Sequence, residues 1–453
     1  MSRPSLLLIT ADAALAILSV AVGYCLRFGG ASSFSELVEP GGLRLLIIAA
    51  VVIVSGFFCE LYSRGQRFSA TDLAARLAVV MMVSLLVLSA IYYLVPMVMI
   101  GRGLLSLALM LCGVMQFALR RGLHALGGLP GFSQRVLVLG VGPLAEVIEA
   151  TINLSRGRYV LAGFVQPASD IMTVSEDRVV GHVKEIARLV QQQRASHLVV
   201  AVTERRGVLP VKELLVCKLN GTEVLDSPSF YERLSGKLLI ENIQPSWFIY
   251  SNGFRITLLK RLYKRFLDIL FSLTGLFLAL PLFPLVALLV RIDSPGPVLF
   301  RQIRVGEKGR EFAILKFRTM RQDAESLTGA VWAQRNDPRI TRIGGMLRKT
   351  RLDELPQLFN VLKAEMSFIG PRPERPEFVE QLTERIPYYN KRHFVKPGLT
   401  GWAQICYPYG ASEEDALEKL RYDLFYIKNY SFLLDLFIVL ETVKVVLYGR
   451  GGR

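Results

Sequence analysis

The chain has 453 residues, with 54 Lys and Arg against 38 Asp and Glu, a net charge of +16 and a mean hydropathy of +0.38. Soluble domains are rarely so apolar and so basic at once, and the length allows two or three domains. The five cysteines lie far apart without a C-x-x-C and the four histidines are scattered, which argues against a disulfide framework, a zinc site or a Ser/His/Asp triad.

Four long apolar runs come first, at about 6–26, 43–62, 77–100 and 104–119. About 20 apolar residues cross a bilayer core, so these runs predict a four-helix transmembrane bundle over residues 1–125. The first run is long for a signal peptide, lacks a small-residue cleavage site and precedes three more. Arg64, Arg67 and Arg76 in the second loop, with Arg120 and Arg121 after the fourth run, outweigh Arg27, Arg44 and Arg102 on the other side. Both ends of the bundle are therefore expected on the cytoplasmic side. Asp12 falls inside the first run, where a carboxylate is by default a functional candidate; a capping or bundle-facing role suits it better.

From residue 134 the texture becomes that of alternating strands and helices. "QRVLVLGVGPLAEVIEATI" is a strand, a glycine turn and a helix, and Gly140, Gly142 and Ala145 fit G-x-G-x-x-A, a pattern that can bring backbone close to a phosphate. Further strand runs at 159–165, 197–202 and 222–226 predict an α/β Rossmann-like domain over 133–250. No acidic residue closes the second strand, where Gln166 and Pro167 follow Val165, and no tyrosine is followed by lysine four positions on. Nicotinamide chemistry is thus not expected, while Gly140 and Gly142 leave nucleotide sensing and a purely structural role both open.

Residues 268–292 form another apolar run. Lys260, Arg261, Lys264 and Arg265 precede it and Arg291, Arg301, Arg304, Lys308 and Arg310 follow it, so both ends are expected to stay cytoplasmic. Pro281 and Pro284 favour a bend near its middle. A re-entrant helix over 264–292 reconciles these features; a kinked complete span is the alternative. Between Lys260 and Arg351 stand 18 Lys and Arg and 7 Asp and Glu, an excess of +11. Next to a membrane element, and without interleaved aromatic platforms, this basicity points to anionic lipid and phosphorylated substrates and away from nucleic acid.

Three motifs in this half stand out. "DSPGP" (293–297) makes an exit turn, "KFRTM" (316–320) alternates like a strand with Lys316 and Arg318 on one side, and "GPRPE" (370–374) holds Arg372 between prolines that extend the neighbouring backbone. In "RKTRLDELPQLFNV" (348–361), Pro356 suits the first position of a helix with Leu355, Leu358, Phe359 and Leu362 on its apolar face. Asp353 and Glu354 then sit at or just before that helix, where local spacing is satisfied by a cap. Two carboxylates among cations also suit phosphoryl chemistry, one as nucleophile and the other as metal ligand.

These pieces in this order, together with "VKPGLTGWAQI" and "YDLFYIKNYSFLLDLFIVLETV", resemble the bacterial sugar transferases, monotopic polyprenyl-phosphate hexose-1-phosphate transferases, from about Lys260 to the C-terminus. The preceding part looks like the long-chain form associated with exopolysaccharide assembly. The resemblance implies an α/β catalytic domain over 260–453, anchored by the re-entrant helix, that moves sugar 1-phosphate from a UDP-sugar to undecaprenyl phosphate with release of UMP. It implies Asp353 as the nucleophile forming a covalent phosphosugar intermediate, Glu354 as the Mg²⁺ ligand, and Lys316, Arg318, Arg348 and Arg372 around the phosphates. Gln404 and Asp423 are further pocket candidates. Membrane lipid, a second copy of the chain and downstream glycosyltransferases are the other expected partners, and the inner membrane, cytoplasmic face, is the expected location. Leu280 stands before Pro281 where many members have serine. A non-enzymatic membrane regulator and a nucleotide-sugar oxidoreductase are the competing readings. The apolar C-terminal stretch 431–450 contains Asp435, Glu441 and Lys444, and so is expected as an interfacial or packed helix.

Overall fold

A computed structural model describes residues 3–29, 42–59, 61–62, 70–127, 134–155, 159–167, 171–202, 209–243, 245–251, 253–322, 337–407, 410 and 412–447. The chain divides into two compact units, Met1–Val224 and Leu225–Arg453.

The first unit opens with α1 (Arg3–Phe28), α2 (Leu43–Phe58), α3 (Ala70–Leu94) and α4 (Arg102–Gly127). The stretches Leu8–Phe28, Ala70–Leu94 and Arg102–Leu123 are long and apolar enough to cross a membrane, whereas α2 has 16 residues. At 1.5 Å per residue, α2 extends only about 24 Å. Residues from all four helices, including Ala16, Ile48, Leu88 and Leu105, form one buried core. Asp12 is fully buried and faces the other helices: Arg120 Nη1 and Nη2 donate to its two oxygens at 3.0 and 2.6 Å, and Tyr62 Oη donates at 2.7 Å. A charge placed there needs this pairing, because an isolated one in hydrocarbon would be costly. Arg64 and Arg67 lie outside the described residues; Arg76 donates to the Cys59 carbonyl.

The α/β part follows as β1 (Gln134–Leu139), α5 (Pro143–Leu154), β2 (Tyr159–Gln166), β3 (Val179–His182), α6 (Ile186–Gln192), β4 (His197–Val200), α7 (Val211–Leu219) and β5 (Glu223–Asp226). The strand order is β3-β2-β1-β4-β5, and β1 pairs in parallel with both β2 and β4. Such a central strand is covered on both faces, which is why β1 reads as an unbroken apolar run. The glycine turn after it is tightly packed. Gly140 has φ +133°, and a Cβ there would meet the Ala201 carbonyl oxygen at 2.4 Å. Val141 is fully buried and its carbonyl accepts from Thr173 N, while Pro143 at the start of α5 has no N–H to offer a ligand.

The second unit begins with α8 (Ser227–Ser235) and α9 (Pro245–Tyr250). Leu238, Ile240 and Ile243 between them share a core with Tyr389, Trp402, Leu420 and Leu424. Trp402 Nε1 donates to the Gly236 carbonyl at 2.8 Å, so this segment folds onto the C-terminal helices. Then come α10 (Leu258–Ala279) and α11 (Leu282–Asp293), bent by 63° at Leu280-Pro281. The proline has no N–H for the ladder, which accounts for the break there. Beyond lie the antiparallel pair β6 (Leu299–Val305) and β7 (Glu311–Phe317), α12 (Arg342–Thr350) and α13 (Gln357–Leu362). The fold closes with β8 (Ser367–Ile369), α14 (Pro376–Arg385), β9 (Gly398–Thr400), α15 (Trp402–Cys406), α16 (Glu413–Lys428) and α17 (Phe432–Leu447), with β8 and β9 parallel.

Both arms of the bent pair are fastened to this one body. On α10, Lys264 Nζ donates to Asp435 at 3.0 Å and to Tyr426 Oη at 3.1 Å. Arg265 donates to the Val361 and Leu362 carbonyls at 2.8 and 2.7 Å, and Asp268 accepts from Ser367 Oγ and Phe368 N. On α11, Asp293 accepts from Ile343 N at 2.9 Å, and Phe283 packs on Phe317 and Phe359. The far ends of the arms stay bare, with Phe277, Leu278 and Leu280 two-thirds or more exposed. α17 is a packed helix: Asp435 is fully buried in its bonds to Lys264 and Tyr426.

Candidate active site

The acidic pair sits between α12 and α13. Thr341 caps α12 by accepting from Gly344 N, and Gly344 lies so close to Thr319 that a Cβ would meet its carbonyl oxygen at 2.1 Å. That contact sets Arg348, one turn on, beside the end of β7, where its Nε donates to Thr319 Oγ1 at 2.9 Å. Arg351 then takes the left-handed conformation (φ 59°, ψ 14°), ends α12 and starts a 3-10 turn over Leu352–Glu354. A non-glycine residue in that region carries strain and reverses the chain sharply. The reversal turns both carboxylates inward, and Asp353 and Glu354 are each only 7% exposed.

Neither carboxylate caps the following helix. Pro356 occupies the position before α13 and no side chain accepts a hydrogen bond there. The local cap reading of the pair is therefore replaced by a different arrangement. Glu354 Oε1 accepts from Arg372 Nη2 at 2.7 Å, with Arg351 Nη1 at 3.5 Å and Lys316 Nζ at 3.8 Å. Asp353 Oδ1 is buried with no hydrogen-bond partner.

The electrostatics separate the two acids. Burial opposes ionisation of Glu354, but Arg372, Lys316 and Arg351 hold its carboxyl well below the usual range. Burial, followed by the Glu354 charge, pushes Asp353 up to about 6 against Lys316, Arg348 and Arg372. Burial also lowers Lys316 to about 8, resisted by Glu354. A carboxylate with an uncommitted oxygen beside a more acidic neighbour and several cations can attack an electrophile that carries negative charge.

The other sequence candidates fall into two groups. Lys316 and Arg372 contact Glu354 directly, and Arg348 lies within electrostatic reach of Asp353. Lys316 and Arg318, grouped by strand alternation, serve different partners. β7 ends at Phe317, and Arg318 Nη2 donates to the Ser294 carbonyl and hydroxyl at 2.6 and 2.9 Å, which holds the exit turn of α11. Gln404 donates to the Leu399 carbonyl at 3.3 Å. Asp423 is buried on α16 and accepts from Arg392 Nη2 at 2.8 Å. Among the described residues, no hydrogen bond or ion pair joins Arg318, Gln404 or Asp423 to Asp353 or Glu354. Asp423 acts at one remove, because the same Arg392 nitrogen donates to the Arg372 carbonyl at 2.9 Å. Burial pushes Asp423 up to about 6, opposed by Arg392.

Three contributors were not singled out in the sequence. Arg392, 6% exposed, also donates to Tyr389 Oη at 2.6 Å and so fixes the backbone that carries Arg372. Asn360 pairs like a strand residue with β7: its Oδ1 accepts from Leu315 N at 3.0 Å and its Nδ2 donates to the Ala313 carbonyl at 2.8 Å. This locks α13 to the strand that bears Lys316. Arg265, on the carbonyls at the other end of α13, ties that helix to α10. A polar residue amid the apolar residues of α13 is the signal that could have pointed to Asn360.

A family model described as bacterial sugar transferase matches residues 259–449. Over 240 residues the chain is 43% identical to the UDP-N-acetylgalactosamine-undecaprenyl-phosphate N-acetylgalactosaminephosphotransferase of Aeromonas hydrophila, covering 52% of this chain and 55% of that one. It is 43% identical over 185 residues to the exopolysaccharide production protein PSS of Rhizobium leguminosarum bv. phaseoli, covering 40% of this chain and 92% of that one. It is 46% identical over 187 residues to the UDP-glucose:undecaprenyl-phosphate glucose-1-phosphate transferase of Escherichia coli (strain K12), with 40% of each chain covered. The chain thus spans about half the length of the Aeromonas protein and nearly all of the Rhizobium one. The family model takes in the half that carries the acidic pair, and on it and these relatives the chain belongs to the bacterial sugar transferase family.

Proposed function

We propose that this chain transfers a sugar 1-phosphate from a UDP-sugar to undecaprenyl phosphate, an initiating step of exopolysaccharide or O-antigen assembly. The observation that carries the reading is the inward-turned pair, with Asp353 Oδ1 buried and uncommitted while Glu354 is held by Arg372. Asp353 attacks the β-phosphorus of the UDP-sugar, a P–O bond forms, and the bond to the bridging oxygen breaks with its electron pair leaving on UMP. A phosphate oxygen of the lipid then attacks the same phosphorus and returns Asp353 as a carboxylate. Lys316, Arg348 and Arg372 neutralise the phosphate oxygens, and Arg372 and Lys316 exchange Glu354 for phosphate as substrate enters.

Mg²⁺ fits this donor set. The described residues hold no cluster of three or more His, Cys, Asp or Glu, and Mg²⁺ is ordinarily held by one or two carboxylates plus substrate phosphates. Glu354 supplies one such carboxylate, and the diphosphate of the substrate would complete the set. The ion would add charge neutralisation at the diphosphate.

The hairpin reading is supported by length and by attachment. The apolar part of α10 from Phe266 and the whole of α11 each fall short of the ~30 Å hydrocarbon core at 1.5 Å per residue. Both arms also bind the same catalytic body. Together these features favour a re-entrant element that enters one leaflet and returns, with the acidic pair on the cytoplasmic face of the inner membrane and α1–α4 as a separate transmembrane bundle. The named relatives divide between N-acetylgalactosamine and glucose, so the sugar is a hexose or N-acetylhexosamine. Incubating the purified protein with undecaprenyl phosphate and a panel of radiolabelled UDP-sugars tests the reading. Transfer of label to lipid with UMP release is expected for one of them, and no transfer from any would sink it in favour of a non-enzymatic role.

A further inference from the structure

The backbone from Leu352 to Leu358 runs from the 3-10 turn through Leu355 and Pro356, both right-handed helical, into α13. Along this path Leu355 N donates to the Leu352 carbonyl and Leu358 N to the Leu355 carbonyl, so Gln357 follows Asp353 by little more than one 3-10 turn. Both are buried, at 2% and 7% exposure. Each has one polar atom without a partner: the Oδ1 acceptor of Asp353 and the Nε2 donor of Gln357. The two atoms do not bond each other. A buried amide donor without a partner is unfavourable. A phosphoryl group bonded to the carboxylate oxygen would present oxygen acceptors to such an amide donor.

We propose that Gln357 Nε2 donates a hydrogen bond to an oxygen of the transferring phosphoryl group, and that this bond is strongest as the Asp353–phosphorus bond forms. The proposal rests on Asp353 being the nucleophile. Gln357 makes and breaks no covalent bond and gives up no proton. It stabilises the charge that gathers on the phosphoryl oxygens while UMP departs. The sequence reading did not find it because a glutamine inside "DELPQLF" reads as one more polar residue of a helix start.

The test is single-turnover UMP release by the full-length protein in detergent with UDP-sugar and Mg²⁺. Gln357→Met keeps the side chain's length without its donor, and the rate is expected to fall roughly 10²-fold with KM for UDP-sugar changed less than threefold. Gln357→Glu turns an anion toward the phosphoryl group and is expected to fall further. Both are read beside their thermal midpoints, so a variant that misfolds leaves the other to decide. A rate within threefold of the parent in either folded variant overturns the proposal, as does a raised KM with unchanged kcat. Asp353→Asn run alongside separates the two ideas. An active Asp353→Asn removes the nucleophile reading itself, whereas an inactive one beside a fully active Gln357→Met removes only the role of Gln357.

Discussion

Replacing Asp353 by asparagine is expected to stabilise the fold while it ends the chemistry. The carboxyl is 7% exposed, and its folded-state pKa is raised from 3.8 to about 6, chiefly by burial and then by Glu354. A raised acid pKa means that the folded state binds the proton more tightly than the unfolded one. Stability from this group is therefore full below about 4 and is lost as pH rises through about 6. A shift of about two units corresponds to ~3 kcal/mol at neutral pH. That cost is already net of the attraction to Lys316, Arg348 and Arg372; asparagine mimics the protonated form and removes most of it, a gain of about 1–3 kcal/mol. At ~2–4 °C per kcal/mol for a unit of this size, the apparent Tm in detergent should rise by several degrees at pH 7.5. The gain should shrink as pH falls from about 6 to about 4. Differential scanning fluorimetry across that range reads it directly. A variant that is less stable than the parent at pH 7.5, or a gain that does not change with pH, would refute the electrostatic reasoning.

Glu354→Gln should do the opposite, since it leaves Arg372, Lys316 and Arg351 facing one another; a loss of about 3 kcal/mol at pH 7.5 is expected, narrowing as pH falls through the carboxylate range, with a weakened Mg²⁺ dependence of UMP release. The rate of UMP release should itself decline as pH drops through about 6, because only the ionised Asp353 attacks; a rate unchanged down to pH 5 would speak against it. Asn360→Ala strips partners from Leu315 N and the Ala313 carbonyl, so a loss of about 2–4 kcal/mol is expected in thermal melts, together with a lower kcat as α13 loosens from β7. Arg392→Leu leaves Asp423 buried without its cation. Its expected cost is about 3–5 kcal/mol, and Arg392→Lys should recover stability better than it recovers kcat, because the Arg372 carbonyl contact depends on the guanidinium fork.

Features that depend on periodicity or on a broken backbone rule were legible in the sequence. The apolar runs found the N-terminal helices, the strand–glycine–helix pattern found β1 and α5, and Pro281 marked the bend between α10 and α11. The acidic pair could be located but not interpreted locally. "DELP" reads equally well as a cap, and the difference arises at Arg351, whose left-handed backbone no spacing rule anticipates. Residues that act through the backbone were hidden for a related reason. Arg392 works on the Arg372 carbonyl and Asn360 on the main chain of β7, so their targets have no side-chain signature to pair with. Arg318 misled because alternation says which side of a strand a residue takes, but not where the strand stops. The packing of 227–250 onto α15 and α16 was likewise invisible, since it depends on contacts such as Trp402 to Gly236 that lie 166 residues apart.

The central claim is that a sugar phosphate passes through Asp353. The most direct measurement is mass spectrometry of the protein quenched after mixing with UDP-sugar and Mg²⁺ in the absence of undecaprenyl phosphate. A hexose phosphate or N-acetylhexosamine phosphate adduct on the peptide containing Asp353, lost on adding the lipid and missing from Asp353→Asn, is the predicted result. UMP release at the full rate with that peptide unmodified, or an adduct on another residue, would contradict it.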